Sequence, residues 1–394
     1  MSNRAGVCYF CPNVTSNKGE LTMSDFETCG MTEEEVYRAF QQYLDKFGFG
    51  YCAVEGGHEM AMLKEFYTPQ EALWCMDMPR NDFFDAQWFA QTEGMDEAQA
   101  EETLRALAVK GDIYREKTAD GYRYHMEPAA HGIYEFHAGD AMNANWIPGL
   151  YGTMAGGMLA QVYDAGIPFY RCVPAKEELV KPGELEADDN LFEMLKTHRR
   201  FCVSPCACLQ SSRDVMGIHN CDHDGNVCIQ TDEMADYYLD DLKLGREITL
   251  EEAEAILRRN IDEGLAMQTT FAKKNEIICS CKVCHCGILQ AAKMFPGDAM
   301  NNISRYEIEF DASKCIHDGG CAARCSMGAI TIGDDGLPTT DASCIGCGQC
   351  VIACKPGARV LTHKKPEGLQ PLPDVVWDAY TVMEDNRRSK GMIE

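Results

Sequence analysis

Cys344-Ile345-Gly346-Cys347-Gly348-Gln349-Cys350-Val351-Ile352-Ala353-Cys354-Lys355-Pro356 places four thiols at the spacing C-x2-C-x2-C-x3-C, with a proline just beyond. Clustering this tight serves a small metal core that several side chains must reach from one loop. In the paired arrangement, the first three thiolates hold one [4Fe–4S] cluster and the fourth reaches across to a second. Gly346 and Gly348 let the backbone wrap a cubane and aim N–H groups at its sulfurs. A structural zinc site is the weaker reading of this run.

Upstream, Cys315-Ile316-His317-Asp318-Gly319-Gly320-Cys321-Ala322-Ala323-Arg324-Cys325 keeps the same spacing, with Asp318 where the second cysteine belongs. The two-cluster rule then groups Cys344, Cys347, Cys350 and Cys325 on one cluster. Cys315, Cys321 and Cys354 fall on the other, with Asp318 as its fourth candidate ligand. A carboxylate is harder than a thiolate and holds this iron less firmly. Two states stay open: carboxylate ligation with a labile iron, or a [3Fe–4S] cluster with Asp318 facing solvent. Residues 303–310 read as a strand, with Tyr306, Ile308 and Phe310 alternating. Residues 329–332 and 360–362 read as further short strands, with Gly336, Pro338 and Asp341 punctuating the turn between the halves. Residues 300–365 resemble the dicluster bacterial-type ferredoxins, and the resemblance implies two [4Fe–4S] clusters and electron transfer.

A second group of thiols precedes this one. Cys279, Cys281, Cys284 and Cys286 flank His285, and Cys202, Cys206, Cys208, Cys221 and Cys228 lie farther upstream. Cys206, Cys208, Cys221, Cys228, Cys279, Cys281, Cys284 and Cys286 are the candidate ligands of one or two further iron–sulfur clusters. Zinc is less favoured, because C-x-C does not match the paired C-x2-C knuckles of a zinc ribbon. Cys202, between Phe201 and Val203, reads as a core residue, and His285 as a neighbour of the site rather than a ligand. Thr249-Leu-Glu-Glu252 is a capping box, followed by Ile256, Leu257, Ile261 and Leu265 at helical spacing and by Gly264 as a stop. Such a helix folds the two thiol groups back towards each other. The thiol pairs Cys206/Cys208 and Cys221/Cys228, the phrase Asp262-Glu-Gly-Leu265 and the block opening at Ile278-Cys279 are similar to anaerobe proteins called 4Fe-4S dicluster or binding-domain proteins. That resemblance covers roughly residues 30 to 365. The family has a denser cysteine block where this chain has Lys282-Val283, and a complete first loop where it has Asp318. It implies electron transfer without a defined substrate.

The N-terminal half reads as helices followed by a hairpin. Thr32-Glu-Glu-Glu35 caps a helix that lines up Val36, Phe40, Tyr43, Leu44 and Phe47 and stops at Gly48. A second helix starts after Thr68-Pro69, a third runs over residues 96–110, and residues 113–126 form a hairpin around Ala119-Asp120-Gly121. This pattern suggests a winged helix, which the resembled family carries here. DNA binding is disfavoured, because Asp96, Glu97, Glu101 and Glu102 outweigh Arg105 and Lys110 on the presumed recognition helix. Cys8 and Cys11, with Cys29, make at most part of a metal site, and Cys75 and Cys172 read as core. No P-loop, nucleophile elbow or carboxylate dyad is apparent.

The whole chain frames these readings. It has 394 residues, 22 cysteines and a formal charge of −26. Its length suggests about two or three domains. It lacks the pattern of a signal peptide and any apolar run of about 18 residues that could span a membrane. A cytoplasmic chain is kept reduced, so its many thiols read as ligands rather than disulfides. The expected fold is α+β: a cysteine-bearing segment 1–30, a winged-helix-like domain 31–136, a linking region 137–200, a cysteine-rich helical middle 201–299, a two-cluster ferredoxin domain 300–365 and a C-terminal tail 366–394, frayed over residues 387–394. The expected function is electron transfer between a low-potential donor and a partner oxidoreductase with a basic docking face. A redox-sensing regulator and a reductase with a substrate-binding cluster are the rival readings.

Overall fold

The computed structural model describes residues 30–218, 224–296 and 298–394. Cys8, Cys11, Cys29 and Cys221 lie outside those residues. Helix α1 (Glu33–Asp45) begins as its sequence dictates: Glu35 N–H donates to Thr32 Oγ1, and Thr32 N–H donates back to the Glu35 carboxylate at 2.7 Å. The helix buries Val36, Tyr37, Phe40, Tyr43 and Leu44. Helix α2 (Met60–Phe66) follows, and Thr68 and Glu71 repeat the reciprocal cap at α3 (Pro69–Asp77). Helices α4 (Ala86–Glu93) and α5 (Glu97–Lys110) each end on a left-handed glycine, Gly94 and Gly111. Strands β1 (Tyr114–Thr118) and β2 (Gly121–His125) pair antiparallel, and an isolated bridge joins Phe84 to Tyr124. A helix–turn–helix backed by a small hairpin results.

The middle region departs from the helical expectation. Strands β3 (Tyr170–Val173), β4 (Phe201–Pro205), β5 (Asn226–Thr231), β6 (Arg246–Ile248), β7 (Ala266–Thr270) and β8 (Ile277–Cys281) form one antiparallel sheet, ordered β3-β7-β8-β5-β4-β6. Helix α6 (Leu250–Asp262) packs Ala253, Leu257 and Ile261 against one face, where Val173, Met267, Ile278, Ile229 and Val203 lie. The register places Cys172, Gln268, Cys279, Cys228 and Ser204 in a single row across the other face. Both faces are covered, so the strands lack the polar–apolar alternation that marks a half-exposed sheet. Helix α7 (Gly287–Met294) follows the last strand and starts at Cys286.

The C-terminal region is two short ladders: β9 (Tyr306–Phe310) with β12 (Arg359–His363), and β10 (Ile330–Ile332) with β11 (Pro338–Thr340). It is fastened to α6. Gln349 is fully buried, and its amide donates to the carbonyls of Ile261 and Leu265. Ser326 Oγ donates to the Gly264 carbonyl at 2.9 Å.

Much of the expected tail is instead a docked helix, α8 (Val376–Ser389). Trp377, Tyr380 and Met383 are buried, with Tyr380 stacked on Phe169 at 5.3 Å. Arg387, where fraying was expected to start, has no exposed surface and donates to the carbonyls of Asp45 and Phe47 at the end of α1. Backbone carbonyls that α1 leaves unbonded are strong acceptors for a guanidinium, which explains why so polar a sequence is buried. Among the described residues, no helix is long and apolar enough to cross a membrane.

Candidate metal centres

Among the described residues, three cavities are each lined by three or more cysteines. The outermost is bounded by Cys315, Asp318, Cys321 and Cys354, with Ile316, Pro338 and Pro356 around them. Asp318 is exposed, and its carboxylate accepts the Gly320 N–H at 3.0 Å. The next is bounded by Cys325, Cys344, Cys347 and Cys350, within Ile308, Met327, Ile330 and Ile345. Arg359 borders both, and its guanidinium lies 3.7 Å from Cys350 Sγ.

The second cavity has the chemistry of a thiolate cluster site. Burial pushes the Cys347 thiol up to about 12 and the Cys350 thiol up to about 11. Thiolates there need cationic compensation, which iron provides. Backbone N–H groups already face the sulfurs: Ala329 donates to Cys325 Sγ at 3.3 Å, and the amides of Gly346 and Gln349 favour the charged forms of Cys344 and Cys347. Left-handed Gly346 approaches Tyr306 so closely that a Cβ would stand 2.4 Å from its carbonyl oxygen. Glycine is required there.

The third cavity lies on the open face of the sheet, and six thiols line it: Cys206, Cys208, Cys228, Cys279, Cys281 and Cys286. Cys228 and Cys279 are directly paired on β5 and β8, and Cys281 follows on the same face. Cys206 and Cys208 sit where β4 ends, and Cys286 caps α7. The contacts close a ring, Cys206–Cys208–Cys286–Cys281–Cys279–Cys228 and back to Cys206. Hydrogen bonds from Cys208 and Cys228 hold the Cys206 thiol well below its ordinary value, and those from Cys228 and Cys281 bring Cys279 down to about 7. The ring therefore favours the thiolate at Cys206 and Cys279, whereas Cys208, Cys228, Cys281 and Cys286 are held well above their ordinary value by these neighbours and by burial.

Of the remaining candidates, Cys284 stands apart as a disulfide-bonded residue, with its sulfur 3.3 Å from His285 Nδ1. Cys221 lies outside the described residues. His285 is buried and adjoins Cys206. Cys202 and Cys75 are buried away from the three cavities. Cys172 is also buried, in the sheet row beside Gln268, under the charge of Cys347 and Cys344. It therefore lies between the second cavity and the third.

The cavity wall also holds His131, Glu135, Tyr170, Gln230 and Gln268, none of them singled out from the sequence. Gln230 and Gln268 are 2 % and 1 % exposed, and each has an amide oxygen without a hydrogen-bond partner among the described residues. A glutamine following apolar residues on each strand, Ile229 before Gln230 and Met267 before Gln268, was the available signal.

Comparison with known proteins bears on the first two cavities. Residues 307–355 match the family model of the 4Fe-4S dicluster domain. This segment is a 4Fe-4S dicluster domain. The chain is also similar to one component of the Na(+)-translocating ferredoxin:NAD(+) oxidoreductase complex of Acetobacterium woodii, 43% identical over 54 residues. That stretch is 14% of this chain and 16% of the relative, so the chain spans about a sixth of the length of that curated protein. No solved structure matches the chain. The dicluster domain thus supplies two of the three cysteine-lined cavities, and the sheet supplies the third.

Proposed function

We propose that this protein carries electrons through a row of iron–sulfur centres, entering or leaving at the dicluster domain and passing to the six-thiol cavity. The observation that carries the reading is the grouping of fourteen side chains, thirteen thiols and Asp318, around three adjacent cavities. Cys325, Cys344, Cys347 and Cys350 hold one cluster, and Cys315, Cys321 and Cys354 with Asp318 hold the other. The six thiols of the sheet hold a further iron–sulfur centre. Among the described residues no group of three or more histidine, cysteine or acidic side chains is drawn together tightly enough to hold a single metal ion. A ring of six thiols is wider than a lone zinc requires, and a polynuclear cluster spans it. Such clusters supply one-electron transfer at potentials tuned by burial and by N–H bonds to sulfur.

The chain's own residues set the order. Ile316, 60 % exposed beside the outer site, offers an apolar contact to a redox partner. Arg359 forms a common wall of the outer and second sites, and Cys172 on β3 lies between the second site and the sheet cavity. The curated relative is named as part of an oxidoreductase complex, which supports a protein partner here. The acidic chain favours a partner with a basic face. The α4–α5 pair and its hairpin serve as a winged-helix-like docking module, since α5 exposes Glu97 and Glu102 beside Arg105.

Anaerobic iron and sulfide determination with stepwise reduction followed by EPR tests the reading. Three distinguishable centres are expected. Iron accounted for by the dicluster domain alone would overturn the assignment of the sheet cavity.

A further inference from the structure

The C-terminal region buries a cation that has no ion-paired carboxylate among the described residues. Arg359 opens β12 opposite Phe310 and is 2 % exposed. Its contacts within the chain are a hydroxyl, a ring and a thiol. Both terminal nitrogens donate to Thr340 Oγ1 at 3.4 Å, and the guanidinium carbon lies 5.3 Å from the centre of the Phe310 ring. Nη1 lies 3.7 Å from Cys350 Sγ. Nε is buried with no hydrogen-bond partner among the described residues. An arginine keeps its proton in a protein, so a buried one without a counter-charge is strongly unfavourable. Arg359 borders both the outer and the second cavity, and no lysine or other arginine lines either one among the described residues. Asp318 shares the outer wall, but its carboxylate is exposed and accepts the Gly320 N–H. The nearby cations are engaged elsewhere: Lys364, Lys293 and Arg324 donate to the carbonyls of Asn301, Met327 and Ile261.

We propose that Arg359 is the shared counter-ion of the outer and second sites, and that its charge holds the reduction potentials of both above what their ligands alone would set. This rests on the reading of the two cavities as iron–sulfur sites. Net charge and N–H bonds to sulfur are among the quantities that fix such potentials. Thiolate ligation makes each site anionic, and reduction adds one more negative charge. A fixed cation in a buried wall favours that added charge, because little solvent screens it there. Arg359 acts differently on the two sides. At the second site Nη1 reaches the Cys350 sulfur, so the guanidinium supplies a hydrogen bond as well as its charge. At the outer site the charge acts alone, since no cysteine of that wall receives a hydrogen bond from Arg359. The six-thiol cavity is not bordered by Arg359 and serves as an internal reference.

The test is a potentiometric EPR titration of the anaerobic full-length holoprotein, with dithionite as reductant, on the parent and on variants of matched iron content. Arg359→Leu should lower the reduction equilibrium constant of the second centre at least tenfold, about 59 mV for a one-electron couple. It should lower that of the outer centre at least threefold and leave the sheet centre within twofold of the parent. Arg359→Gln, which keeps an N–H donor without the charge, should lower the outer centre as far as leucine does and the second centre less. Arg359→Lys, which restores the charge, should recover at least half of each shift. A loss below threefold at either centre of Arg359→Leu would overturn the proposal. If the leucine variant does not load iron, a loss below threefold at the outer centre of Arg359→Gln would overturn it instead. A lysine variant no closer to the parent than the leucine variant would overturn the counter-ion role and leave Arg359 as a packing residue. A parent protein whose dicluster domain holds no iron would overturn the functional reading itself, and is recognised from its iron content before any potential is measured.

Discussion

The dicluster domain and the central sheet both gather cysteines around cavities, by opposite means. In the dicluster domain most ligands ride on loops punctuated by left-handed glycines, Cys321 and Cys350 sit in single short helical turns that follow such glycines, and short ladders hold the ends. In the sheet, Cys228, Cys279 and Cys281 are strand residues fixed by register, and only Cys206, Cys208 and Cys286 come from strand or helix ends. Loop ligation leaves a sequence signature, because spacing alone brings the thiols together. Register placement leaves a weaker one: clustering marks the six thiols as candidates, but how they group depends on strands far apart in the chain.

The strongest way to break this comparison is to remove the register pair. Cys228→Ala with Cys279→Ala should abolish the sheet-centred EPR species completely and leave both dicluster signals in place. Loss of all three signals together would mean that the two regions form one assembly.

A smaller effect separates the regions by acidity. Glu276 is neutral in the fold and ionised in the unfolded chain, so between about pH 4.3 and 8 the native state binds more protons. Its contribution to stability is therefore fully present at low pH and is lost as pH rises through that window. Glu276→Gln should flatten this fall and raise stability at pH 8 by on the order of 2 kcal/mol, read by urea denaturation.

Next comes the seam between them. Gln349→Leu removes the side-chain donor to the Leu265 carbonyl and the acceptor of Arg324 Nε, while the Ile261 carbonyl keeps its bond from Arg324, and should cost about 2 kcal/mol. It should also slow electron passage from the dicluster domain to the sheet, measured by freeze-quench EPR. The smallest expected change is at the outer site: Asp318→Cys should add up to one iron per chain and convert the outer EPR signal to that of a complete cubane. An unchanged spectrum would show that the carboxylate never governed that iron.

Much of this architecture is legible in the residues. Thr32/Glu35 and Thr68/Glu71 announce helix starts through reciprocal caps, and both caps form. Tyr306, Ile308 and Phe310 alternate along β9, which forms within the expected stretch. The sheet escaped notice because β7 and β8 are covered on both faces and place Gln268 and Cys279 towards a cavity rather than solvent. Helix α8 escaped for the converse reason: Glu384 and Arg387 look solvent-bound in sequence, yet Arg80 and the α1 carbonyls receive them inside. Long-range partners decide such residues, and no local window contains them.

Helix α8 also imposes an order of assembly. Among the described residues the last helix closes on the end of the first, through Arg387 and Met383 against residues 45–48. During synthesis the N-terminal helices emerge well before their closing partner, at roughly 5–20 residues per second. Their core cannot finish until the ribosome has released residue 389. The thiols of the sheet and of the dicluster domain are all translated inside that interval, so the dicluster loops emerge before the structure locks around them.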